Sequence, residues 1–261
     1  MNLFFAGDIV GQSGRRVLVQ HLPSLRERLK LDLVVVNAEN AAGGFGVTQK
    51  IAANLFAHGV DVLTTGNHIW DKKETLDFIG GEPRLLRPHN YPPGVPGQGW
   101  IVTKSASGHA VGVLNVMGNV FMNPTLDCPF RCVDQVLAQR PDDLKIILVD
   151  FHAETTSEKM AMGWFLDGRV SAVLGTHTHV PTADERILPN GTAYISDVGM
   201  TGCYDSVIGM NKERALRRFV QKLPERLEVA EGQAVLSAVL IKIDDSSGKS
   251  SSITRISIRE D

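Results

Sequence analysis

Short apolar runs alternate along the chain with longer segments whose apolar residues recur every three to four positions. This is the pattern of buried strands feeding amphipathic helices. Residues 3–6, 33–36, 60–63, 146–149 and 170–174 are rich in β-branched or aromatic side chains and bounded by turn formers, so each predicts a buried strand. Between them, residues 15–29 place Val17, Leu18, Leu22, Leu25 and Leu29 on one helical stripe. Residues 48–58 predict a helix with Thr48 as N-cap and Gly59 just beyond its end. Two shorter helices are expected, over 72–78 with Asp71 as cap, and over 157–166. Residues 234–243 and 252–258 flank the polar turn 244–249, which predicts an antiparallel hairpin. Strand–helix units joined to a hairpin imply an α/β fold with mixed sheets.

Seven of the twelve prolines fall between Pro83 and Pro129. That region is too hydrophobic for disorder, so it is expected to form loops and short strands decorating a single domain over 1–261. No internal repeat or low-complexity tract interrupts the pattern. A chain of 261 residues, 43% hydrophobic, can bury a core without disulfides or structural zinc. Its cysteines, Cys128, Cys132 and Cys203, are odd in number and lack a second Cys/His pair, so reduced thiols are expected. The formal net charge of -2 argues against long nucleic acid as a main partner. Nowhere do about 18 apolar residues run together, so no bilayer span or membrane partner is expected. The first residues carry no basic, then apolar, leader pattern, and a cytoplasmic location is the expectation.

The polar residues after the strands change the picture most. The run 3–6 ends in Gly7-Asp8, 33–36 in Asn37-Ala38-Glu39-Asn40, and 60–63 in Thr64-Thr65-Gly66-Asn67-His68. The run 146–149 ends in Asp150-Phe151-His152, and 170–174 in Gly175-Thr176-His177-Thr178-His179. Carboxyl ends of parallel strands gather on the edge of an α/β sheet where ligands bind. Singly, each residue has a bland role: Asp8 as a helix cap, Glu39-Asn40 and Asn67-His68 as turns, His152 as a hydrogen-bonded core histidine. Five strand ends delivering carboxylate, amide or imidazole to one edge point instead to a metal site. His177 and His179, two apart in extended chain, should project from one face and reach each ion of a pair ~3.5–4 Å apart. Asp150 and Glu154 are expected to orient His152. His21, His58, His89 and His109, with Asp197 and Asp205, are expected to be structural.

These segments resemble the dinuclear, calcineurin-like metallophosphoesterases. Closer still, Gly7-Asp8-Ile9-Val10-Gly11, Asn37-Ala38-Glu39-Asn40-Ala41-Ala42, Gly66-Asn67-His68-Ile69-Trp70-Asp71 and His177-x-His179 resemble the YmdB family of bacterial phosphodiesterases. Two departures from the broad superfamily, Val10 where a histidine is usual and Glu39 where an aspartate bridges the metals, follow the YmdB pattern. The resemblance implies a four-layer α/β/β/α sandwich, with two mixed sheets face to face and helices outside. It implies that Asp8, Glu39, Asn40 and His179 hold one metal, and that Glu39, Asn67, His152 and His177 hold the other. It further implies His68 as proton donor, small phosphodiesters including cyclic nucleotides as substrates, and iron or manganese as metals.

The residue types agree with that chemistry. Imidazole, carboxylate and amide oxygen without thiolate suit two divalent transition ions, iron and manganese foremost and zinc compatible. A hydroxide bridging the metals would attack phosphorus while His68 protonates the leaving oxygen. Other functions compete. Gly7-x-x-x-Gly11-x-x-Gly14 after a first strand, with Glu39 closing the second, is the outline of a dinucleotide site. Such a site would set Asp8 against a pyrophosphate and leave Asn67, His152, His177 and His179 idle. A metal-binding regulator with little turnover, and a phosphomonoesterase or protein phosphatase, would use the same ligands and stay open. So does assembly into a homo-oligomer.

Overall fold

Alternation along a strand sends successive side chains to opposite faces. The computed structural model, which describes residues 1–260, uses that alternation to build two six-stranded sheets. In chain order the elements are β1 (Asn2–Ala6), α1 (Gly11–Arg28), β2 (Leu33–Asn37), α2 (Gln49–Ala57), β3 (Val62–Thr64) and α3 (Thr75–Phe78). Next come β4 (Trp100–Lys104), β5 (Ala110–Met117), α4 (Pro129–Gln139), β6 (Ile146–His152), α5 (Thr156–Leu166) and β7 (Ala172–Thr176). The chain closes with β8 (Arg186–Ile187), β9 (Ala193–Ile195), β10 (Gly202–Cys203), α6 (Lys212–Gln221), β11 (Ala234–Ile243) and β12 (Ser250–Arg259).

The first sheet runs β10-β11-β1-β2-β3, with β12 on the outer edge of β11. Here β1, β2 and β3 are parallel and β11 is antiparallel to β1. The second runs β4-β5-β6-β7-β9-β8, parallel from β5 to β9 with antiparallel edges. Leu3, Phe5, Leu33, Val35 and Val62 of the first sheet face Val111, Val113, Ile146, Leu148 and Leu174 of the second, forming the central core. The opposite faces are covered by helices. Phe4, Val34 and Val36 pack under Val17, Leu18 and Leu22 of α1 and Leu55 of α2. Val116, Ile147, Val149 and Phe151 pack under Val133 and Leu137 of α4 and Met162 and Leu166 of α5. The result is the four-layer α/β/β/α sandwich.

Several local expectations hold. Thr48 caps α2, its Oγ1 accepting from the Ile51 N–H at 3.3 Å, and Gly59 follows with φ of 94°. The hairpin forms, as β11 and β12. Others change. The proline-rich region contains β5, eight residues long, buried save for its first residue, and paired on both sides, so it is an interior strand and not decoration. Gly112 within it leaves the space that the Trp100 ring occupies across the pair. Helix α1 starts four residues earlier than its apolar stripe, with Val10 and not Asp8 at its N-cap. The helix expected over 72–78 shortens to α3, and Asp71 does not cap it. Among the described residues no helix is long and apolar enough to cross a membrane.

Candidate metal centre

The carboxyl ends of β1, β2 and β3 meet those of β6 and β7, so both sheets deliver side chains to one edge. Asp8 follows β1, Glu39 and Asn40 follow β2, Asn67 and His68 follow β3, His152 ends β6, and His177 and His179 follow β7. Asp8, Glu39, Asn40, His152 and His179 are buried. His152 Nε2 lies 3.0 Å from Glu39 Oε2, 3.1 Å from Asn67 Oδ1 and 3.0 Å from His177 Nδ1. His179 Nε2 lies 3.1 Å from Asn40 Oδ1. Ligand atoms of Glu39, His152 and His177 lie within 4.8 Å of one another, as do those of Asp8, Glu39 and His179. Glu39 belongs to both groups.

The hydrogen bonds behind these side chains decide which atoms face inward. Thr176 donates its hydroxyl to Asp150 Oδ1 at 2.7 Å, so its oxygen accepts from His152 Nδ1 at 2.9 Å. His177 Nε2 sits 3.1 Å from Glu154, and His179 Nδ1 donates to the Ile208 carbonyl at 2.8 Å. Each imidazole thus spends its outer N–H on an acceptor and turns its other nitrogen to the centre, the arrangement that fixes histidine as a metal ligand. Asn40 donates its amide N–H to Gly44 O at 2.9 Å, which leaves Oδ1 pointing in. Asp8 Oδ2 accepts from the His177 N–H at 3.1 Å, while Asp8 Oδ1 is buried with no hydrogen-bond partner. An orphaned carboxylate oxygen beside converging lone pairs fits a cation and little else.

Electrostatics lead to the same place. Burial lowers the His152 pKa, but Glu39, Asp8 and Asp150 outweigh it and bring it up to about 9. Burial would raise Glu39, yet His152, then His68 and His177, pull it down to about 2. Burial and the His152 charge push His177 down to about 3, and burial holds Asp8 well above the usual carboxylate range. One proton on His152 cannot satisfy the Glu39, Asn67 and His177 atoms that face it, whereas divalent ions can.

Backbone geometry is bent to the same end. His177 and His179 have φ of 100° and 66°, so they are not in extended chain, and alternation is not what aims them. Non-glycine residues held there cost about 1–3 kcal/mol each, the kind of strain that collects at functional sites. The loop is clamped by Asp197, whose Oδ2 accepts from Thr178 N–H at 3.1 Å, from Thr178 Oγ1 at 2.8 Å and from Lys159 Nζ at 2.7 Å. Gly66 is required at its position: a methyl group there would run into the His152 ring and Glu39 Oε2.

His68 stands at the rim, its N–H 3.4 Å from Glu39 Oε2 and its ring edge-on to Phe45 at 5.0 Å. Its Nδ1 is 2.8 Å from Asp71 Oδ2, so Asp71 partners His68 instead of capping a helix. Glu154, expected to serve His152, serves His177; Asp150 does reach His152, through Thr176. Asp150 also accepts from Thr64 Oγ1 at 2.5 Å and Asn37 Nδ2 at 2.9 Å, binding the two sheets behind the site. Sequence patterning passed over Lys159, Thr176, Asn37 and Thr64. Lys159 left one signal, a lysine three residues before Met162 on the buried face of α5.

The chain is 50% identical over its whole length to the 2',3'-cyclic-nucleotide 2'-phosphodiesterase of Bacillus subtilis (strain 168), covering 98% of that protein. A crystal structure of a hypothetical protein from Thermus thermophilus is 43% identical and superposes with a TM-score of 0.93, with 100% of both chains covered. A crystal structure described as a novel phosphatase from Mycoplasma pneumoniae is 37% identical with a TM-score of 0.94, covering 100% of this chain and 94% of that one. The family model described as YmdB-like protein matches residues 4–256, so the chain belongs to the YmdB-like family.

Proposed function

We propose that this chain is a phosphodiesterase of cyclic nucleotides that works with two divalent transition-metal ions. Asp8, Glu39, Asn40 and His179 would hold one, and Glu39, Asn67, His152 and His177 the other. The observation that carries this is the pair of ligand groups sharing Glu39, one of which includes Asp8, whose buried Oδ1 has no hydrogen-bond partner. Oxygen and imidazole donors without thiolate favour iron or manganese, and zinc fits them too. Such ions supply Lewis-acid charge for the phosphoryl oxygens and an acidified water as nucleophile. The substrate class is supported by the full-length likeness to the Bacillus subtilis enzyme. We take residues 1–261 as one domain, and the three free thiols fit a reducing, cytoplasmic setting.

The chain's own contribution is placement and proton transfer. As water oxygen joins phosphorus and the ester P–O bond breaks, the leaving oxygen needs a proton. His68 is the group for it: Asp71 takes Nδ1–H and supports the imidazolium, leaving Nε2 to donate. The test is elemental analysis of the purified protein, joined to hydrolysis of 2',3'-cyclic nucleotides beside an aryl phosphate monoester. Two metal equivalents per chain and preferential diester cleavage are expected. Full metal occupancy with no diester turnover, or with faster monoester turnover, overturns the assignment.

A further inference from the structure

Helix α6 carries its apolar residues outward. Leu216, Phe219, Val220 and the following Leu223 are 56%, 63%, 78% and 61% exposed, and only Ala215 of the helix is buried. The same stretch bears Arg218 and Lys222. Two open grooves of about 680 Å³ each meet there, sharing Arg218 and Arg226 in their walls. One is also lined by Phe219 and Lys222; the other extends to Lys72 and Phe45, the ring packed edge-on against His68. The grooves therefore form a track that starts beside the proton donor and runs out along α6.

Its charge is distinctive within a chain of net charge -2. Among the described residues, Lys72, Arg218, Lys222 and Arg226 form no ion pair, while the neighbouring Glu225 and Glu228 are held by Arg214 and Arg217. Among the described residues Glu231 is the one carboxylate lining these grooves that no cation pairs. Unpaired cations spaced along a groove with accessible phenyl rings at intervals match the needs of a single nucleic-acid strand. The cations follow the phosphates, and the rings take bases by stacking without regard to sequence. Phe45 beside His68 and Phe219 further out are placed for this.

We propose that the track from Phe45 to Phe219 binds the strand of a short oligonucleotide whose cyclic phosphate end enters the Glu39 cluster, making such strand ends a substrate class alongside mononucleotides. This rests on the phosphodiesterase assignment for turnover, but not for binding. It is compatible with the small overall charge, because a few local contacts suffice for a strand end.

Two measurements on the full-length, metal-loaded protein test it. Fluorescence anisotropy with a labelled, non-hydrolysable single-stranded RNA hexamer should show binding whose affinity falls with salt at a log–log slope of about −3, as four phosphate contacts require. R218Q/R226Q should flatten that slope by about half. F219A should weaken binding about fivefold or more. A hexamer ending in a 2',3'-cyclic phosphate should be cleaved with a higher kcat/KM than the cyclic mononucleotide at low salt. R218Q/R226Q should remove that advantage and leave mononucleotide turnover unchanged. Binding of the hexamer with no mononucleotide turnover supports the track and counts against the phosphodiesterase assignment. Absence of hexamer binding, or binding equal in wild type and variants, overturns the track. So does co-sedimentation with phosphatidylserine vesicles that Arg218 and Phe219 govern while the hexamer is ignored, because α6 would then be a membrane-surface helix.

Discussion

A few atoms decide what each residue at the centre can do, and the roles differ sharply between neighbours. His68 and Glu39 are 3.4 Å apart through the His68 N–H, yet the proposed mechanism asks one to move a proton and the other to hold the metals. Replacing His68 with alanine should lower kcat by ~10²–10⁴-fold with metal content intact. Asp71→Asn should give a smaller loss in kcat, because Nδ1 keeps a hydrogen-bond acceptor and loses only the carboxylate charge that supports the imidazolium. An unchanged kcat for His68→Ala removes it from the reaction. Glu39→Ala should instead strip the metals, read by elemental analysis, since both ligand groups use this side chain. At this scale the sequence was highly legible. All eight proposed site residues were visible as the polar tail of a strand. Asp71 was misassigned because an aspartate before a helical stretch is equally a cap, and only the turn at 68–71 shows that it closes on His68.

Elements matter through the loops they hold. The His177–His179 loop keeps two positive φ values only because Asp197 ties Thr178 from below, with Lys159 of α5 neutralising that carboxylate. Lys159 and Asp197 are both essentially inaccessible to solvent, so Lys159→Met would strand a buried charge, at a cost of about 3–5 kcal/mol. For a chain of this size that corresponds to a drop of about 10 °C or more in Tm. The double variant Lys159→Met/Asp197→Leu should not recover it fully, because Thr178 N–H and Gly199 N–H would lose their acceptor. A Lys159→Met protein melting at the wild-type temperature refutes the clamp. Strand β5 shows why element patterning fell short. Its sequence is apolar enough, but prolines flank it and Gly112 interrupts it, both ordinary marks of a loop. The deciding fact, that the Trp100 ring fills the space above Gly112, is a contact between strands that no local pattern contains.

At the scale of the molecule, the centre lies where two independently paired sheets meet. β1, β2 and β3 of one sheet bring Asp8, Glu39, Asn40 and Asn67; β6 and β7 of the other bring His152, His177 and His179. Behind them a buried polar bridge, Asn37 to Asp150 at 2.9 Å with Thr64 beside it, joins the sheets next to the apolar core between them, and Thr65 N–H reaches Asn115 Oδ1 at 3.1 Å nearby. Metal ions at this edge would add a further link between the sheets and offset the cost of keeping the Asp8 and Glu39 carboxylates buried together. Ligand binding to the folded state alone stabilises by about 2.7 kcal/mol at a free concentration a hundred times Kd. For a chain of 261 residues this converts to a Tm rise of about 5–10 °C. Chelation of the wild-type protein should therefore lower Tm by that amount, reversibly on adding back iron or manganese. The Glu39→Ala protein should show no chelator-dependent shift. Should wild type melt at one temperature with chelator and with saturating metal alike, the ions are not bridging the two sheets, and the residues gathered at this edge serve some other end.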